Sequence, residues 1–177
     1  GFLELFVDFG GGDPAAWDHD DFEPLLAYLA SLRPPAPPEQ PEALIASGER
    51  VFREAGCVDC HQGPRGSGTR LFSFEEIGTD AALKQWMDPG LTGEPCCEKS
   101  LEDHPLTYSV KSPRLVGLWA MERFLHNGSV GSLDELLCLG PAAPVIDEIA
   151  YSNAGHEFGC DLSTEDKVAL IAYLESH

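Results

Sequence analysis

The sequence predicts an all-α protein. Three segments, 21–32, 42–55 and 162–175, place apolar residues at the three- and four-residue spacings of an amphipathic helix. No segment alternates apolar and polar residues with the period of a strand over a useful length. We therefore expect helices to form the core and sheet content to be small.

A proline-rich linker divides the chain. Residues 33–41 read RPPAPPEQP, and prolines cannot continue a helix because they lack the amide donor. We assign 1–41 to an N-terminal extension with its linker and 42–177 to the main domain. The first helix and the last one share an AYL core, which favours the hypothesis that 1–33 closes a preceding domain of the same type. Coincidence is the alternative.

The main domain begins with the helix predicted over 42–55. Shorter helices are predicted at 80–87, 113–125 and 132–137, and Pro113 suits a first helical turn. The last helix has a capping-box-like start, because Ser163 stands three residues before Asp166.

The charge of the chain is strongly acidic. Eleven basic residues against thirty acidic ones give a formal net charge of -19. This balance argues against nucleic acid and anionic membrane surfaces as partners, since both require a basic face. It is explained by solubility or by electrostatic attraction of a basic partner protein. No apolar run approaches the length of a membrane span.

One motif carries specific chemistry. The segment 57–61 reads Cys-Val-Asp-Cys-His, the C-x-x-C-H pattern of c-type haem attachment. The thiols of Cys57 and Cys60 would reach the two vinyl groups of one porphyrin, and His61 would bind the iron as an axial ligand. Zinc would require a second ligand pair at matching spacing, and none is present. A thioredoxin-like dithiol would require strands. The motif therefore predicts one covalent haem c in a cytochrome c fold, with loop-rich insertions and a short N-terminal extension.

The sixth ligand of the iron decides between electron transfer and chemistry on a bound molecule. The methionines of the chain are Met87 and Met121. The histidines outside the motif are His19, His104, His126, His156 and His177. We interpret His19, His104 and His177 as surface or loop residues.

Two segments carry a resemblance to a known family. The segment 108–137 (YSVKSPRLVGLWAMERFLHNGSVGSLDELL) resembles the stretch that bacterial di-haem cytochrome c peroxidases share. The segment 153–174 (NAGHEFGCDLSTEDKVALIAYL) is similar to the ending of the rubber-oxygenase-like subgroup. With the haem motif, the resemblance covers most of 42–177, and the end of the extension resembles the end of an N-terminal haem domain in the same superfamily. It implies the cytochrome c fold and a periplasmic or extracellular location.

The resemblance also implies roles for single residues. The position of the peroxidases' methionine ligand is Gly140 here, so that ligand is absent. The subgroup offers a histidine near the C-terminus instead, which is matched by His156, and Met121 remains the alternative sixth ligand. His126 corresponds to the H-D-G histidine, which lies near the haem without binding iron.

Two further residues are assigned to the haem pocket. We expect Trp119 to shield the porphyrin from water. We expect Arg114 to pair with a haem propionate, because a porphyrin brings negative charge.

Four cysteines remain outside the motif: Cys96, Cys97, Cys138 and Cys160. An even number in an oxidising compartment favours two disulfides over free thiols, and three pairings are possible. Because a ring between adjacent cysteines would be strained, we expect the Cys96-Cys97 dipeptide to bind both Cys138 and Cys160.

These observations predict an electron-transfer cytochrome with no catalytic residues. With both His61 and His156 on the iron, no position is open for peroxide or oxygen. The partner would be a redox protein, basic if the acidic charge attracts it. The alternative is a haem enzyme, a peroxidase or oxygenase, or part of a di-haem one. That function would need a vacant or labile iron position.

Overall fold

The computed structural model describes residues 23–33, 35–80, 109–140, 145–147 and 152–177. The chain divides into two compact units, 1–36 and 37–177. The described helices are α1 (Glu23–Ser31), α2 (Glu42–Glu54), α3 (Phe74–Ile77), α4 (Leu133–Leu136) and α5 (Thr164–Glu175). The described strands are β1 (Leu71–Ser73) and β2 (Ser109–Lys111), and single 3-10 turns lie at Cys57–Asp59 and Leu118–Ala120.

In the first unit, helix α1 forms where the apolar periodicity predicts it. None of its residues is buried, and its large apolar side chains are exposed, among them Leu26 and Tyr28. The AYL residues of α5 differ, because Ala172 and Leu174 are buried there. The hypothesis that this segment closes a preceding domain stays a prediction.

The second unit is organised by the packing of α2 against α5. The two helices are in tight contact at Gly48, where an added Cβ would stand 2.0 Å from the carbonyl oxygen of Ala169. Glycine is therefore the residue that permits this approach. The ring centroids of Phe52 and Tyr173 lie 5.4 Å apart in the same contact.

The buried core extends from this crossing to the connecting loops and α4. Its members are Val51, Phe52, Leu118, Phe124, Val130, Leu133, Leu137, Leu170, Ile171 and Leu174. Cys57 and Val58 of the cysteine motif pack against it. The motif is thus attached directly to the core of the unit.

A small antiparallel pair of strands lies beside the motif. Strand β1 pairs with β2, with Phe72 opposite Val110. The chain then enters α3 through a capping box, in which the Ser73 hydroxyl accepts from the Glu76 amide and the Glu76 carboxylate accepts from the Ser73 amide. The described sheet is small, as the sequence predicts.

The prediction of a helix over 113–125 is wrong. The structure has only the 3-10 turn there, and Gly117 before it is left-handed at a φ of 81°. The Leu115 amide donates to the carbonyl of Arg65 (2.9 Å), and the Gly117 amide donates to that of His177 (3.0 Å). The Gly117 amide, which a helix over 113–125 would use internally, is thus committed to a tertiary contact. Of the helix predicted over 80–87, Asp80 is not helical and 81–87 lie outside the described residues.

Within the part of the chain that is described, no helix combines the length and the apolar character needed to cross a membrane.

Replacing Gly48 by alanine should destabilise the protein. The added methyl group would collide with the backbone of α5, and overpacking of this kind costs about 2 kcal/mol, against a gain of about 1 kcal/mol in helix propensity. We expect a lower midpoint of denaturant unfolding for Gly48→Ala. Ala46→Val, which adds carbon to an exposed position of the same helix, is the control. Equal midpoints for both variants and the wild type would contradict this packing.

Candidate haem site

The cysteine motif follows α2 as one compact turn. Gly56 is left-handed, with a φ of 77°, and redirects the chain at the end of the helix. The amides of Cys60 (3.3 Å) and His61 (2.9 Å) then both donate to the carbonyl of Cys57. This turn holds the two thiols and the imidazole on one short segment next to the core.

The ring of His61 is fixed by a backbone carbonyl. Its Nδ1 lies 2.9 Å from the oxygen of Gly66. Because a carbonyl only accepts, Nδ1 carries the proton, and the lone pair of Nε2 is available for a metal. This is the tautomer and the second hydrogen bond that metal-binding histidines commonly have.

The thiols of Cys57 and Cys60 differ from those of a redox dithiol. They are free, partly buried and not bonded to each other. Burial raises the pKa of both thiols. A disulfide oxidoreductase requires the opposite shift, because its attacking group is the thiolate.

The segment after β2 holds the motif from the other side. The buried Ser112 donates through its hydroxyl to the carbonyl of Cys60 at 2.8 Å. The hydroxyl of Ser67 donates to the carbonyl of Ser112 at 2.6 Å. These serines were not predictable from the sequence, because a lone serine in a loop gives no signal of its tertiary partner.

His156 faces His61. The centroids of the two imidazoles lie 6.4 Å apart, and their planes are inclined by 66°. Burial lowers the pKa of His156, and the charge of His61 lowers it further. Both effects favour the neutral imidazole, which is the form that binds a metal.

This distance fits two ligands of one iron. An imidazole nitrogen lies about 2 Å from a metal ion that it binds, so two imidazoles on opposite sides of the ion place their ring centroids about 6 Å apart. The Nδ1 of His156 is buried and has no hydrogen-bond partner. The residues present therefore fit a haem iron held between His61 and His156, with Cys57 and Cys60 beside it.

The other predicted site residues are placed less specifically. Met121, the alternative sixth ligand, is 48% exposed, and Arg114 is also exposed. The indole Nε1 of Trp119 is buried without a hydrogen-bond partner, and its pocket role stays a prediction. His126 is exposed, and its Nδ1 lies 2.9 Å from the Thr79 hydroxyl.

Several candidate residues fall elsewhere. His177 is exposed, and its Nδ1 lies 2.7 Å from the carbonyl of Tyr173, which agrees with a surface role. His19, Met87 and His104 lie outside the described residues.

The expected disulfide pattern is wrong. Cys138 is bonded to Cys160, so neither can bind the Cys96-Cys97 dipeptide, which lies outside the described residues. The reason is the packing of α4 against α5, which brings the Cα atoms of the two cysteines to 5.0 Å. The buried ammonium of Lys167 donates to both of their carbonyls, at 3.2 and 2.7 Å. The bridge closes the loop that carries His156.

Among the described residues, no group of three or more histidine, cysteine or acidic side chains is arranged to hold a metal ion.

Comparisons with known proteins yield little. No protein family model matches the chain, and no solved structure matches it. The chain is similar to y4iJ of Sinorhizobium fredii, described as an uncharacterized protein, with 34% identity. The match covers 41% of this chain and 18% of that protein, so it spans less than a fifth of the relative's length.

Removing the disulfide between Cys138 and Cys160 should lower the stability of the protein against unfolding. The disulfide spans 22 residues, and closing a loop of this size stabilises a protein by about 3 kcal/mol. We expect Cys138→Ala/Cys160→Ala to unfold at a clearly lower denaturant concentration. Wild type measured with and without a reducing agent is the control, and an unchanged midpoint in the variant would contradict the assigned bridge.

Proposed function

We propose that this chain is a c-type cytochrome with one covalently bound haem and that it transfers electrons. The observation that carries the proposal is the 6.4 Å separation of the His61 and His156 rings, next to a C-x-x-C-H motif. A haem bound there would supply a reversible one-electron couple at iron.

The residues of the chain would have separate tasks. Cys57 and Cys60 would bind the porphyrin covalently through thioethers, and His61 and His156 would bind the iron from opposite sides. The carbonyl of Gly66 orients His61. Packing of the motif against the core would keep this arrangement rigid, which suits a site that must change little between two oxidation states.

Electron transfer is favoured over catalysis because two histidines would fill the axial positions of the iron. A peroxidase or oxygenase needs one position that is vacant or becomes so. The two imidazoles are already within the distance that one iron requires. No catalytic residue is therefore assigned.

The location of the protein and its partner belong to the same proposal. The disulfide between Cys138 and Cys160 suits a periplasmic or extracellular location. The net charge of -19 suits a basic redox partner. A place within a longer protein agrees with a match that spans 18% of its relative, and the proposal of a second haem in that protein rests on the sequence resemblance alone.

Haem attachment should depend on the motif cysteines alone. We expect the protein, produced in a host that matures c-type cytochromes, to carry the added mass of one haem after denaturation. Cys57→Ala/Cys60→Ala should lose this mass, and Cys138→Ala/Cys160→Ala should keep it as the matched control. A wild type without covalent haem would overturn the proposal.

The sixth ligand should set the reduction potential. Methionine raises the potential of a haem relative to histidine, so His156→Met should shift the midpoint upward by on the order of 0.2 V. Potentiometric titration measures this, and Met121→Leu should leave the midpoint unchanged. The reverse result, with Met121→Leu moving the midpoint and His156→Met not, would make Met121 the ligand. Rapid turnover of peroxide by the wild type would favour the enzyme alternative.

A further inference from the structure

We propose that Thr79, His126 and Asn127 are positioning residues that hold His156 in place and keep the sixth position of the iron closed. The inference rests on the proposed function, because it assumes that His156 binds the iron. The 126–128 turn takes no part in iron ligation or haem attachment under the proposed function, and the inference gives it a role.

The hydrogen bond that holds His156 is made by its backbone, and its ring contacts the ring of Phe158 with a centroid distance of 5.5 Å. The buried Nδ1 of its imidazole has no hydrogen-bond partner, whereas Nδ1 of His61 is bonded to Gly66. The backbone of His156 is left-handed, with a φ of 53°. This conformation is uncommon outside glycine and persists only where the surroundings impose it. The contacts of the neighbouring backbone therefore contribute to the position of the ring.

The first contact is with the end of α3. The amide of His156 donates to the carbonyl of Ile77 at 3.0 Å. Gly155 lies directly against Thr79, where an added Cβ would be 3.1 Å from the Thr79 Cα. The segment that contains Thr79 is thus the support on which the His156 backbone rests.

The 126–128 turn makes one hydrogen bond to the Thr79 segment and another to the segment that leads to His156. Nδ1 of His126 is 2.9 Å from the hydroxyl of Thr79. Nδ2 of Asn127 donates to the carbonyl of Ser152 at 3.1 Å, four residues before His156. The amide of Ser152 in turn donates to the carboxylate of Asp80 at 3.4 Å. One turn thereby joins the supporting segment to the segment that carries the ligand.

The turn itself is fixed to the core. On either side of it, the buried residues Phe124 and Val130 form a backbone bridge, and the Phe124 amide donates to the Val130 carbonyl at 2.8 Å. Within the turn, Oδ1 of Asn127 accepts from the amide of Ser129 at 3.1 Å. A rigid anchor is what a positioning turn requires.

Binding of cyanide to the ferric holoprotein tests the inference, because cyanide can enter only when His156 leaves the iron. The variants are Thr79→Val, which removes the hydroxyl but keeps the shape, and Asn127→Ala, which removes the bond to Ser152 and also the bond to Ser129 within the turn. Each variant therefore removes one hydrogen bond between the turn and another segment. One hydrogen bond changes an opening equilibrium by roughly fivefold. We expect each variant to bind cyanide about fivefold faster than the wild type, and the double variant about twentyfold faster.

Two further variants separate positioning from a general loss of stability. Thr79→Ser keeps the hydroxyl and should retain the wild-type rate. Ser163→Ala removes the N-cap of α5, where the Ser163 hydroxyl accepts from the Asp166 amide. This variant should lower the unfolding midpoint without raising the rate of cyanide binding. A low-spin wild type whose Thr79→Val and Asn127→Ala variants bind cyanide at the wild-type rate would overturn this inference alone. A wild type that is already high-spin would overturn the proposed function together with it.

Discussion

Two imidazoles that bind one haem iron stand on opposite sides of it with their ring centroids about 6 Å apart, and under the proposed function the described fold is the means of meeting this constraint. His61 and His156 are separated by 95 positions in the sequence, and their rings stand 6.4 Å apart. The crossing of α2 and α5 at Gly48 fixes the position of the cysteine motif. The contact of Gly155 with Thr79 supports the backbone next to His156.

The two sides are held in different ways. On the His61 side, the hydrogen bond of the ring and the backbone bonds of its turn lie between Cys57 and Gly66, and one distant bond, from the Ser112 hydroxyl to the Cys60 carbonyl, is added to them. On the His156 side, they involve distant segments: the end of α3, the 126–128 turn and the disulfide to Cys138. Local contacts remain when distant segments separate, so under the proposed function His156 is the ligand that would leave first when the protein opens locally.

The parts of this account that were predictable from the sequence depend on local pattern. The periodicity of α2, the start of α5 at the Ser163 cap and the spacing of the C-x-x-C-H motif are each encoded within a few turns of chain. The pairing of His156 with His61 was expected only through the resemblance of its segment, because the chain has five histidines outside the motif that were candidates for the sixth ligand.

The parts that the sequence did not predict depend on tertiary contacts. The apolar residues of 113–125 suggested a helix, but the amides of Leu115 and Gly117 donate to distant carbonyls instead. Cys138 pairs with Cys160 because two helices pack together, which cysteine spacing does not reveal. Thr79 and Asn127 gave no signal, because single polar loop residues are too common to indicate a partner.

The most direct test of the central claim is the low-temperature electron paramagnetic resonance spectrum of the ferric wild type, recorded with its near-infrared magnetic circular dichroism. The account predicts low-spin iron with the charge-transfer energy of two imidazole ligands, and the 66° inclination of the rings predicts a strongly anisotropic signal. A high-spin signal, or the charge-transfer energy of a methionine ligand, would contradict the claim that His61 and His156 share one iron.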